Sequence, residues 1–319
     1  MCGEEEGVTR TEFWRKLRAT MLWCTCGGVI CGSVVGYVLT DHSPLRLGLM
    51  EMLGRSPRCP FPNAARAAEH VARIVAARGN IVGWSHTLKT DPEGYVLWHT
   101  PHGNWWLPKG DGMSLVAALA EQELQTYGTG ERFVRPGDIV LDCRADVGVF
   151  AHAALAVGAR LVVAIEPNPA NVECLRRNLR EPIAAGRLVV HPKKVWDTEG
   201  GTLNVAPKKA ASPAIQQEGT SAKSEVPFVT IDNLVGELRL SSVDFIKMDV
   251  QGAEENALMG ARATLAKFRP RLVVSTLSRP DDPERIWQLV RKSRPEYRVE
   301  CGPCAEGEGG IQPRVLFFY

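Results

Sequence analysis

Residues 137–169 read GDIVLDCRADVGVFAHAALAVGARLVVAIEPNP, two short apolar runs separated by a stretch of helical spacing. Ile139-Val140-Leu141 ends at Asp142, Leu161 to Ile165 ends at Glu166, and Gly148 to Val157 carries the helix period between them. Strand, helix, strand in this order predicts a parallel sheet with crossover helices. Ligands of such sheets bind beyond the carboxyl ends of the strands. Two links are therefore candidate site: Cys143-Arg144-Ala145-Asp146-Val147 after the first strand, and Pro167-Asn168-Pro169 after the second. An acid closing the second strand, here Glu166, is the position that accepts ribose hydroxyls in dinucleotide folds.

Working outward, a helix is expected from Pro169 through Leu179, and a strand over Val243 to Met248 that ends at Asp249. Upstream, Ser114 to Tyr127 has helical spacing, and Ile81 to Leu107 alternates in short runs with turn signals at Asp91-Pro92-Glu93-Gly94 and His102-Gly103-Asn104. That segment predicts two or three antiparallel strands. It holds Trp84, Trp98, Trp105 and Trp106, which are read either as an aromatic wall facing substrate or as large side chains packing a small sheet. Residues 63–78 predict a helix, and Pro207 to Glu225 a surface loop, read as a solvated insertion or a lid.

The chain has 319 residues, 45% hydrophobic and 23% charged, which excludes fibrous and wholly disordered classes. Thirty-eight basic against thirty-six acidic residues leave a net charge of +2, too little for the phosphate-neutralising field of nucleic-acid binding. Nine cysteines without paired spacing predict a reducing compartment. Residues 21–39, MLWCTCGGVICGSVVGYVL, are uncharged over the length of a bilayer-spanning helix, and Arg10, Arg15, Lys16 and Arg18 precede them. An uncleaved membrane anchor is expected, with a signal peptide as the alternative. Gly28, Gly32 and Gly36 offer a smooth face for homodimer contact. The expected divisions are 1–60 anchor and linker, 61–130 helical and small-sheet extension, and 131–319 principal domain.

The ordered motifs TPHGNWWLPKGD, AEQE, GDIVLDC, VVAIEPNP, VWD at Val195 to Asp197, IKMDVQGAE at Ile246 to Glu254, and CGPCAE resemble the FkbM family of S-adenosylmethionine-dependent methyltransferases over roughly Tyr95 to Tyr319. The resemblance implies a class I methyltransferase fold, α/β with a seven-stranded, mostly parallel, Rossmann-like sheet. It implies S-adenosylmethionine as cofactor, with Asp142, Ala145 and Gly148 along its methionine side, Glu166 on the ribose, and Asn168, Val195 and Trp196 nearer the adenine. It also implies methyl transfer to a hydroxyl oxygen of a small molecule or glycan. Two positions depart from the family pattern, Arg144 for glycine and Asp146 for asparagine. A glycine there permits positive φ and close backbone approach, whereas Arg144 either enters the cofactor volume or swings onto the cofactor carboxylate or Asp146.

Asp249, at the end of its strand, is the candidate general base, with a helix-capping role as the alternative. Gln251, Glu254, Trp105 and Trp106 are candidate acceptor contacts. Lys247, inside the strand, is expected to be paired. No carboxylate–histidine cluster predicts a metal. Three other functions are weighed: a membrane-tethered module whose cofactor site Arg144 has disabled; a redox site at Cys301-Gly302-Pro303-Cys304, against which the helix-poor context counts; and an NAD enzyme, against which the missing G-x-G-x-x-G counts. Because the cofactor is cytoplasmic, the catalytic domain is expected on that side of the membrane.

Overall fold

The apolar runs at 139–143 and 161–165 form adjacent parallel strands, and their alternate residues enter two cores. Leu141, Cys143, Val163 and Ile165 pack on one face of the sheet, Val140, Val162 and Ala164 on the other. This period of two explains why the runs lack polar alternation, since a sheet covered on both faces needs apolar residues at every position. The computed structural model describes residues 59–205, 224–307 and 310–319.

An antiparallel sheet comes first, β1 (His86–Thr90), β2 (Tyr95–Thr100) and β3 (Gly103–Pro108). The main sheet uses β4 (Ile139–Cys143), β5 (Leu161–Ile165), β6 (Leu188–His191), β7 (Phe245–Met248), β8 (Arg271–Ser275), β9 (Val299–Cys301) and β10 (Val315–Phe318). Its spatial order is β9-β10-β8-β7-β4-β5-β6, parallel except for β10, which runs against both its neighbours. This is the expected seven-stranded class I methyltransferase arrangement. The helices that position the site are α1 (Ala67–Trp84), α2 (Gly112–Glu123), α3 (Val149–Val157), α4 (Pro169–Asn178), α5 (Glu254–Met259) and α6 (Asp282–Ser293).

Local chemistry sets the helix ends. Asn168 caps α4 by accepting from the Ala170 N–H, and Pro169 follows at the first helical position, where no N–H is needed. The helix expected over 114–127 stops at Glu123 because Gln125 takes φ 56°, a left-handed conformation that ends the α-helical ladder. The helix expected over 63–78 instead runs to Trp84, passing through Gly79 and Gly83.

The tryptophans pack the small sheet onto the main unit. Trp105 is buried with Leu107, Leu115 and Val149, and its indole donates to the His102 carbonyl. The Trp106 backbone N–H donates to Asn178 Oδ1 at 2.7 Å, while Asn178 Nδ2 donates to the Trp106 and Val147 carbonyls. Arg177 lies over the Tyr95 and Trp106 rings and pairs with Asp91, Glu93 and Glu173. At Gly112 a Cβ would stand 2.1 Å from the Trp98 ring, so only glycine lets α2 approach this sheet.

Cys59 and Cys304 form a disulfide with a Cα–Cα distance of 6.5 Å across 245 residues. This pairing departs from the expectation of cysteines without a paired framework. Closing so long a loop contributes about 2–4 kcal/mol by restricting the unfolded chain. Cys301 keeps its thiol, so the CGPC cysteines do not bond to each other, and the turn leads from β9 into the hairpin strands Cys304–Gly307 and Gly310–Pro313. Residues 21–39 with Gly28, Gly32 and Gly36, and most of the 207–225 loop, lie outside the described residues; among those described, no helix is long and apolar enough to cross a membrane.

Candidate active site

The bend after β4 is held at several points. The Arg144 and Ala145 N–H groups both donate to the Ile165 carbonyl, at 2.9 and 3.1 Å, tying the end of β4 to the end of β5. Arg144 takes φ 67° and Asp146 φ 48°, left-handed geometry that suits glycine and that two larger residues adopt here. Beneath the bend, Lys247 is the register partner of Asp142 in the adjacent strand, and their Nζ and Oδ1 lie 3.2 Å apart. Lys247 Nζ also donates to the Arg144 carbonyl at 2.9 Å. Burial lifts the Asp142 carboxyl to about 6 against the opposing pull of Lys247. The pair anchors the backbone on which the bend is built.

Two cavities flank this bend. The larger, about 500 Å3, is walled by α2, the bend and the ends of β7 and β8. The smaller, about 210 Å3, lies over the end of β5 and the 193–195 segment. Arg144, Asp146 and Gln251 line both, so these three residues form their common border. Gln251 reaches that position from a left-handed turn with φ 53°. The larger cavity alone lies within the 300–1,000 Å3 usual for small-molecule sites.

The Arg144 guanidinium leaves both cavities open because two carboxylates draw it aside. Nη1 donates to Asp249 Oδ2 at 3.1 Å and to the Asp249 carbonyl at 3.2 Å, and Nη2 lies 3.2 Å from Asp146 Oδ2. Burial would raise the Asp249 carboxyl, yet Lys247, Arg144 and a hydrogen bond from Tyr127 outweigh it and hold the group below the usual carboxylate range. The Tyr127 hydroxyl stands 3.2 Å from Asp249 Oδ2 and 3.1 Å from Glu121 Oε2, and Glu121 pairs with Arg314 at 2.8 Å. On the other side, Glu166 Oε2 accepts the Asp146 N–H, and Oε1 accepts the Asn168 N–H and Asn171 Nδ2. Burial first and then the Asp146 charge push Glu166 up to about 7, against the backbone donors that favour its ionised form.

Residues 142–298 match the model of the methyltransferase FkbM domain. Residues 142–298 form an FkbM methyltransferase domain. Solved structures similar to this chain include an FkbM methyltransferase from Methylobacillus flagellatus KT, with 19% identity over 80% of this chain and 60% of that one, at a TM-score of 0.43. The chain thus spans about three-fifths of that relative's length. A precorrin-6y C5,15-methyltransferase from Geobacter metallireducens GS-15 matches at 12% identity over 63% and 85% of the two chains, TM-score 0.36. A magnesium protoporphyrin IX methyltransferase from Synechocystis PCC 6803, solved with bound SAM, matches at 15% identity over 64% and 76%, TM-score 0.35. No curated protein matches the chain significantly.

In this FkbM domain the residues singled out in the sequence divide by place. Ala145 and Asp249 line the larger cavity, and Glu166, Asn168 and Val195 the smaller. Six others line neither. Asp142 is fully buried under Lys247. Gly148 caps α3 at φ 98°, where a Cβ would meet Leu179 at 2.8 Å. Trp196 stacks on Phe228, with ring centroids 5.1 Å apart. Glu254, almost fully buried, accepts the Val250 and Gly252 N–H groups and so shapes the turn that carries Gln251. Trp105 and Trp106 belong to the small-sheet packing described above.

The sequence reading missed Glu121, Tyr127, Ser275, Ser278 and Arg314 on the larger cavity, and Asn171 and Lys193 on the smaller. Of these only Glu121 carried a signal, as part of the AEQE motif. Among the described residues no group of three or more His, Cys, Asp or Glu side chains is placed to hold a metal ion.

Proposed function

We propose that this chain transfers a methyl group from S-adenosylmethionine to a hydroxyl oxygen of a small molecule or glycan. The observation that carries the reading is the shared border: a nucleoside-sized cavity lined by the buried acid Glu166 opens, past Arg144, Asp146 and Gln251, onto a larger cavity lined by carboxylates and hydroxyls. The residues present fit the cofactor. A carboxylate offers about four acceptor positions, and Glu166 fills three with N–H donors, which leaves one on Oε2 for a ribose hydroxyl. Asn168, Val195 and Lys193 would enclose the base, and the bend from Arg144 to Asp146 would meet the methionine portion. When bound, the cofactor supplies an electrophilic methyl on a sulfonium, whose transfer needs alignment and exclusion of water more than covalent help.

The protein's own residues supply that alignment. Arg144, fixed by Asp146 and Asp249, sets the width of the passage between the cavities and offers a guanidinium to an anionic group. Asp249 stays ionised through the neutral range, so it accepts a hydrogen bond from an acceptor hydroxyl and takes up its proton as a weak base. Tyr127 and Glu121 hold Asp249 in line from behind. Incubation with methyl-labelled S-adenosylmethionine and a panel of hydroxylated small molecules and glycans tests the reading. Label recovered as an O-methyl ether supports it, and label found only on nitrogen, carbon or sulfur contradicts the oxygen assignment.

A further inference from the structure

The 124–129 segment separates two spaces. Thr126 and Tyr127 face the larger active-site cavity, while Leu124, Gln125, Gly128 and Thr129 line another cavity of about 470 Å3 that the methyl-transfer reading does not use. Arg66, His70 and Arg73, four and three residues apart at the start of α1, present their side chains to it from one helix face. Arg132 enters from the opposite wall, and the 301–304 turn, tethered through the Cys59–Cys304 disulfide, closes the side. Three guanidinium groups and one imidazole thus converge on a concave space whose lining contains a single carboxylate, Glu69.

Among the described residues the Arg132 and Arg73 charges are incompletely neutralised. Arg132 shares Glu300 at 3.1 Å with Arg298, and among the described residues no carboxylate pairs with Arg73. His70 Nε2 is shielded from solvent and has no hydrogen-bond partner among the described residues, a costly arrangement that a ligand oxygen would relieve. Burial first, and then the Arg314 and Arg73 charges, hold the imidazole below its ordinary value. Concave sites lined by one sign of charge concentrate counter-ions. Arginine forks suit the oxygens of a tetrahedral phosphate approached from several directions.

We propose that this cavity binds a phosphate group through Arg66, Arg73 and Arg132, with His70 Nε2 donating to a phosphate oxygen. The site is independent of the cofactor assignment. Its ligand is either a free phosphorylated metabolite or a lipid headgroup, which share this chemistry. Two arms separate them: calorimetric titration of the full chain with inorganic pyrophosphate, and flotation with phosphatidic acid vesicles against pure phosphatidylcholine vesicles. Saturable pyrophosphate binding without flotation assigns a free phosphate ligand, and flotation on phosphatidic acid vesicles alone assigns a headgroup. In either case Arg73→Glu should weaken binding at least tenfold and His70→Gln about threefold. Arg73 is exposed, so an unchanged melting temperature for Arg73→Glu confirms that the fold is intact. Absence of binding in both arms, or binding that Arg73→Glu leaves unchanged, overturns the proposal.

Discussion

Around the smaller cavity the polar contacts are local: the Asp146 N–H reaches Glu166 across 20 residues, and Asn168 and Asn171 follow within five of that acid. Around the larger cavity they are distant, with Tyr127 meeting Asp249 across 122 residues and Arg314 meeting Glu121 across 193. The first region is built from two strand-to-helix links of one βαβ unit. The second is assembled by α2, the ends of β7 and β8, and the chain entering β10, which only the folded sheet brings together. Under the proposed function, a common cofactor would be held by a local motif, while an acceptor specific to this chain would be met by residues whose meeting depends on the whole topology.

This contrast makes cofactor affinity sensitive to one side and indifferent to the other. The largest effect is expected for Glu166→Ala, which removes the ribose acceptor and leaves three N–H donors without their partner. S-adenosylmethionine affinity measured by calorimetry should fall about tenfold to a hundredfold, as the loss of one charge-assisted hydrogen bond worth about 1.5–3 kcal/mol implies. A loss below tenfold would show that the acid only shapes the turn.

The next effect is that of pH. Glu166 titrates near 7 in the folded protein, and a ribose hydroxyl donates to its ionised form, so binding requires loss of the proton. Affinity should rise with pH through 7, by about tenfold between about pH 6 and pH 8. Stability runs the other way. Because the folded pKa is raised, this group's favourable contribution is complete below its unfolded value of 4.5 and is lost as pH climbs through 7. Opposite slopes for binding and for melting temperature check both signs.

Arg144→Gly is a smaller perturbation with an informative direction. It removes two partly exposed ion pairs, each worth about 0.2–1 kcal/mol. If those pairs order the border between the cavities, affinity should fall about fivefold, whereas a guanidinium obstructing the cofactor predicts a gain. The smallest effect belongs to the distant side. Tyr127→Phe deletes the hydroxyl between Glu121 and Asp249, and cofactor affinity should stay within about twofold while label transfer to an acceptor declines. A large loss of cofactor affinity in this variant would erase the division between the two regions.

The same contrast explains what could be read from the sequence. Leu161–Ile165 was legible to the residue, and β4 was missed only by its last two positions, because a doubly covered strand announces itself by an uninterrupted apolar run. Glu166 followed from its place at a strand end, and Asn168 from the family resemblance. Asp142 and Gly148, named by motif, line neither cavity: the acid faces Lys247 at 3.2 Å one strand away, and the glycine makes room for Leu179. Trp105 and Trp106 look alike in a pocket wall and in a packed sheet, and only the Asn178 bridge decides between the two. Arg144 carried a question that composition could not answer, since its direction depends on Asp249, 105 residues later. The Cys59–Cys304 pairing, spanning 245 residues, left no spacing signal at all.

The cavities bordered by Arg144 should hold S-adenosylmethionine in the protein as it stands. Isothermal titration of the full, folded chain with this cofactor at mildly alkaline pH tests it most directly. Saturable one-to-one binding in the micromolar range, weakened by Glu166→Ala, is the predicted result. A folded sample that gives no heat, and begins to bind only after Arg144→Gly, would contradict it.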